Sequence, residues 1–102
     1  MARHRVAGTG DLAPGELKRV EIGDVALCLA HVKDGGFCAV ADLCTHEEIE
    51  LSDGYLDGGE IECPMHGSRF NVATGAVRGL PANLPVRAYP VEVEGDDLIV
   101  DL

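Results

Sequence analysis

Two short segments, Cys44-Thr45-His46 and Cys63-Pro64-Met65-His66, each set a thiol beside an imidazole, with sixteen residues between them. A helix brings residues three or four apart onto one face, whereas a turned or extended loop can aim residues two or three apart at one point. The first segment therefore reads as a loop or strand end. Pro64 has no amide hydrogen and a fixed backbone angle, which suits a loop and not a strand centre or helix interior. Gly67 allows close backbone approach. Any fold of this chain has to bring two such loops together, and the candidate ligands of a shared metal centre are Cys44, His46, Cys63 and His66.

Two chemistries use two cysteines and two histidines. A structural zinc site takes four such ligands, but zinc fingers usually group a cysteine pair and then a histidine pair, and here the order alternates. In Rieske-type iron–sulfur centres, two histidines replace two cysteines on one of the two irons. The run from Cys44 to Gly75, CTHEEIELSDGYLDGGEIECPMHGSRFNVATG, resembles the cluster-binding part of a Rieske 2Fe-2S ferredoxin. It combines C-x-H, the spacer, C-P-x-H-G, the aromatic Phe70 two residues after Ser68, and a Thr74-Gly75 turn. The short chain and its ending, YPVEVEGDDLIVDL, are similar to the ferredoxin component of bacterial aromatic-ring-hydroxylating dioxygenase systems.

The resemblance implies one 2Fe-2S cluster per chain, with Cys44 and Cys63 on the inner iron and His46 and His66 on the exposed one. It also implies an all-β, Rieske-like fold of small antiparallel sheets with an inserted cluster-binding lobe. By formal charge, an oxidised cluster with two thiolates and two neutral imidazoles is near zero, against about minus two with four thiolates, so an electron is added more easily. High-potential members of the family carry an extra cysteine in each ligand loop, joined by a disulfide; Met65 occupies one such place, and no cysteine lies between His46 and Cys63. Where they also have a tyrosine, this chain has Phe70, while Ser68 matches their serine. The expected potential lies toward the low end of the Rieske range of roughly −150 to +300 mV. Ser68 is expected to donate to a bridging sulfide, and amides near Cys63 and His66 to point at cluster sulfurs.

At 102 residues and 46% hydrophobic, the chain reads as a single domain, 1–102, with a lobe over about residues 43–80 set in a β framework from both chain ends. With two tyrosines, two phenylalanines and no tryptophan, its core has to be aliphatic. A cluster tying two loops together is expected to support folding, so the apo form should lose order over 43–80. Cys28 and Cys38 sit in the apolar runs VALCLAHV and FCAVA and read as small buried hydrophobes.

Eighteen acidic against eight basic residues give a formal charge of −10, which argues against a nucleic-acid surface and for a partner with a basic docking face. Glu47, Glu48 and Glu50 follow His46, where their charge would either ring an electron-exit edge or belong to a solvated loop. No apolar stretch approaches the roughly 20 residues of a membrane span, and MARHRVAGTG has no apolar signal core, so the expectation is a cytoplasmic protein off the membrane. Nothing in the patterning asks for more than a monomer.

Glycine, proline and aspartate punctuate the chain at short intervals, with no convincing amphipathic helix. Strands are expected at Lys18 to Ile22, Val25 to Val32, Phe37 to Ala41, Glu60 to Cys63, Arg69 to Val72, Val86 to Val93 and Leu98 to Asp101. Asp34-Gly35-Gly36 and Glu94 to Asp97 carry hairpin-turn chemistry. Val91 and Val93 alternate with Glu92 and Glu94, as in a strand with one wet face. Pro81, with Leu80 and Pro85 nearby, reads either as the proline-containing loop that the resemblance implies over the cluster or as a plain connecting turn.

The resemblance implies a non-enzymatic electron carrier between an NAD(P)H-dependent ferredoxin reductase and a terminal Rieske oxygenase. A terminal oxygenase itself needs a mononuclear iron held by two histidines and a carboxylate. Only His4 and His31 remain, one in the N-terminal tail and one near a hairpin turn, and both read as surface residues. The alternative is a Rieske-like small subunit of a larger reductase such as nitrite reductase.

Overall fold

The run Val25–His31, VALCLAH, is buried without interruption from Leu27 to Ala30. A strand with one wet face alternates apolar and polar residues, so a continuous apolar run demands cover on both faces. Leu27 and Leu29 enter one core with Val6, Ala39, Leu98 and Val100. Cys28 and Ala30 enter a second with Val40, Leu51, Ile61, Phe70 and Val72. The strand is the partition between two cores.

The computed structural model describes residues 3–33, 36–44, 49–65, 67–79 and 84–102. Among them the strands are β1 (Arg3–Gly8), β2 (Leu17–Ile22), β3 (Val25–His31), β4 (Phe37–Ala41), β5 (Tyr55–Asp57), β6 (Glu60–Glu62), β7 (Arg69–Asn71), β8 (Val77–Gly79), β9 (Ala88–Tyr89), β10 (Val91–Glu94) and β11 (Asp97–Asp101). They form three antiparallel sheets, ordered β1-β11-β10, β2-β3-β4-β9 and β5-β6-β7-β8. Two single 3-10 turns, Thr9–Asp11 and Leu51–Asp53, are the helical pieces among the described residues. No helix of the described residues is long and apolar enough to cross a membrane.

The all-β expectation holds, and most expected strands agree to within a residue at either end. Val86 to Val93 does not form one strand. Pro90 cannot donate to a ladder, and the chain changes sheets there: β9 pairs with β4, and β10 with β11. The N-terminal segment is a strand rather than a tail, since β1 pairs with β11 and sets His4 opposite Val100. A bulge between Arg5 and Ala7 breaks the alternation and buries Val6 and Ala7 in succession, so no period of two is readable there. The three-residue strands β5 and β8 are also too short for a periodic signal.

His31 is not a bare surface residue. Its ring stacks on Phe37 at 4.0 Å between centroids, and its Nδ1 donates to the Leu12 carbonyl at 2.9 Å. Of the expected turn Asp34-Gly35-Gly36, residues 34 and 35 lie outside the described residues. The turn at Glu94 to Asp97 joins β10 to β11 as expected, with Gly95 at φ +60.

Candidate metal centre

The first candidate loop leaves the end of β4. The Ala41 amide donates to the Arg87 carbonyl at 2.8 Å, and the Asp42 amide to the Ala26 carbonyl at 3.0 Å, so the chain is held against β3 before it turns. The Cys44 amide then donates to the Ile49 carbonyl at 2.9 Å. Leu51, fully buried, pins the returning segment in the second core. The second candidate loop is the tip of the β6–β7 hairpin. Its Cys63 amide donates to the Ser68 carbonyl at 2.8 Å, and the Gly67 amide to the Cys63 carbonyl at 3.2 Å.

The two loops share one closure: a cysteine amide bonded to the carbonyl five residues on, 44 to 49 and 63 to 68. That correspondence is not evident from motifs whose histidines stand at different spacings. It leaves the Cys63 and Gly67 amides engaged with carbonyls, so any amide aimed at a cluster sulfur comes from elsewhere in the loop.

Cys44 and Cys63 are 3% and 1% exposed and belong to the same apolar core. Two thiolates there would be buried negative charges, a costly state unless a cation or hydrogen-bond donors compensate them. The arrangement would suit a cationic metal centre reached from two loops. His46 and His66, with Thr45, Glu47 and Glu48, lie outside the described residues, as do Leu80 and Pro81; Pro85 is exposed.

Ser68 is fully buried, as is Phe70, whose ring packs in the core that holds the cysteines. Burying such a ring contributes about 1.5–3 kcal/mol. Met65 and Leu43, next to His66 and Cys44 in sequence, are instead exposed. The remaining thiols are structural. Cys28 is buried, and desolvation, followed by the charge of Asp42, pushes its thiol far above the usual range; burial also raises the half-buried Cys38. None of the described cysteines is joined in a disulfide.

Sequence reasoning passed over Asp42, whose carboxylate is buried two residues before Cys44 and meets Ser52 and Arg19. An aspartate closing an apolar strand signals a loop. Its partners, ten and twenty-three residues away, come together only through the fold.

The pattern of the Rieske [2Fe-2S] domain matches residues 2–90. The ferredoxin component of biphenyl 2,3-dioxygenase from Rhodococcus jostii (strain RHA1) is 43% identical over 102 residues, 100% of this chain and 94% of that one. Among solved structures, the ferredoxin of carbazole 1,9a-dioxygenase from Nocardioides aromaticivorans IC177 superposes with a TM-score of 0.92 at 37% identity, covering 98% of this chain and 97% of that one. A chain in a complex of reduced oxygenase and oxidised ferredoxin in carbazole 1,9a-dioxygenase superposes at 0.89 and 39% identity, covering 96% of this chain and 100% of that one.

Proposed function

The chain belongs to the Rieske [2Fe-2S] domain family, and we propose that it is the one-electron carrier of an aromatic-ring dioxygenase system. In this reading it takes electrons from an NAD(P)H-dependent ferredoxin reductase and hands them to the Rieske centre of a terminal oxygenase. The observation that carries the reading is the convergence of two buried thiols from two identically closed loops, in a chain aligned end to end with a dioxygenase ferredoxin.

When bound, a 2Fe-2S cluster takes up and gives up a single electron without making or breaking a bond in a substrate. Cys44 and Cys63 would hold its inner iron as thiolates, within the apolar core. His46 and His66 would hold the second iron through one ring nitrogen each, leaving the other nitrogen able to donate a hydrogen bond to a partner. Ser68 would place its hydroxyl toward a bridging sulfide. The lobe built on β5 to β8, about residues 43–80, would carry the electron-transfer edge, and the remaining sheets would be its support. A carrier fed by NAD(P)H would work in the cytoplasm, where that donor is found.

The experiment is anaerobic transfer. The reduced chain is mixed with an oxidised aromatic-ring dioxygenase, and the two absorbance spectra are followed in a stopped-flow instrument. The reading predicts reoxidation of the chain matched by reduction of the oxygenase, and reduction of the chain by NAD(P)H only when a ferredoxin reductase is present. A chain that takes up electrons yet passes none to such oxygenases, and co-purifies with a large reductase subunit, would contradict it.

A further inference from the structure

The two ligand loops close alike but are braced differently. The loop between Cys63 and Ser68 ends a hairpin whose stems are registered by the ladder pair Glu62 and Arg69. The loop that begins at Cys44 follows β4 and returns through the 3-10 turn Leu51–Asp53, and among the described residues no strand pairing joins those two stems.

A side chain stands where the ladder is missing. The Asp42 side chain is fully buried, and its carboxylate accepts from the Ser52 amide at 2.6 Å, the Ser52 hydroxyl at 2.6 Å and Arg19 Nη1 at 2.9 Å. Residues 42 and 52 flank the loop, so the carboxylate ties stem to stem just below the Cys44–Ile49 bond. Arg19, on β2, adds a third element: its Nη1 lies 3.1 Å from Glu50 on the returning stem, and its Nη2 donates to Glu21 at 2.7 Å. Hydrogen bonds to a buried ionised group are the stronger kind, and partners behind metal ligands fix ligand geometry.

We propose that Asp42, with Ser52 and Arg19, is a positioning clamp for the Cys44 arm, setting how firmly that arm holds the metal centre and in what geometry. The proposal rests on the reading of Cys44 and His46 as ligands. Asp42→Asn keeps the shape but offers one accepting oxygen instead of two, so the Ser52 amide on one oxygen and the Ser52 hydroxyl and Arg19 on the other can no longer all be met.

The test uses the holoprotein and follows chelator-driven iron release and the EPR g-values of the reduced form, with Val100→Ala as a control that loosens the other core. The clamp predicts release about tenfold faster in Asp42→Asn, with shifted g-values, and a smaller acceleration in Ser52→Ala, which keeps its amide donor. Val100→Ala should melt earlier yet keep the wild-type g-values. Wild-type release and g-values in Asp42→Asn, or an equal g-value shift in Val100→Ala, would overturn the clamp alone. If Asp42→Asn does not fold, Ser52→Ala decides, and a wild-type result there overturns it. A wild-type protein without a mixed Cys/His iron signal overturns the ligand reading, and the clamp with it.

Discussion

Backbone setting separates the four cysteines into two kinds. Cys44 and Cys63 reach the core from loops, while Cys28 lies inside a sheet beside Val40, with its thiol raised by desolvation. Because the thiolate is the reactive form, Cys28 should resist iodoacetamide at about pH 8 in the native holoprotein and react only after denaturation; peptide mass spectrometry will show which thiols are alkylated. At Ser68, which is fully buried, the hydroxyl is expected to stabilise the more negative reduced state. Ser68→Ala should therefore lower the midpoint potential in a redox titration, and an unchanged potential would remove its donor role. His66→Cys should lower the potential too, since it adds a negative thiolate. The placement of Cys44 in a loop was legible because C-x-H resists regular structure, and Pro64 marked the turn after Cys63, although the strand expected to run through Cys63 ends at Glu62. Asp42 was not, because its meaning depends on Ser52 and Arg19 arriving from other elements.

At the scale of elements, legibility followed periodicity and turn chemistry. The uninterrupted run in β3 marks a strand buried on both faces, whereas the Val-Glu alternation of β10 misleads: Val91 is partly covered by the first core, but Val93 is exposed along with Glu92 and Glu94. What escaped was pairing: β1 is recruited by β11 across nearly the whole chain, and Pro90 lets one apolar run serve two sheets. Gly75 in the Thr74-Gly75 turn has a definable job. At φ +81, its missing side chain leaves room for the Val86 carbonyl, 1.9 Å from where a Cβ would stand, while its own carbonyl accepts from the Val86 amide at 2.9 Å. Gly75→Ala must push β8 and the segment around Val86 apart, whereas Gly95→Ala, in an open turn at φ +60, meets no atom within 4 Å. Urea denaturation should show about 1–2 kcal/mol lost for Gly95→Ala, the usual cost of a left-handed residue, and a clearly larger loss for Gly75→Ala.

Across the whole molecule, charge is distributed unevenly. Arg3, Arg5, Arg19, Arg69 and Arg78 each lie against a carboxylate, so most of the few cations are engaged within the chain and the formal −10 is left to act outward. Long-range attraction to a basic partner is screened by salt over about 8 Å at physiological ionic strength. The electron-transfer rate to the oxygenase should therefore fall steeply between low and high salt, and a flat dependence would remove electrostatic steering from the account. Stripping the metal should loosen the molecule locally, because both candidate loops hang on the core that holds the cysteines. Hydrogen exchange should rise over about residues 43–80 and stay low in β3, the partition strand. The central claim is tested most directly by measuring iron, acid-labile sulfide and zinc on the purified protein, with EPR after anaerobic dithionite reduction. The account predicts about two irons and two sulfides per chain and the low-average-g signal of mixed histidine and cysteine ligation. Stoichiometric zinc without labile sulfide, persisting after anaerobic reconstitution with iron and sulfide, would contradict it.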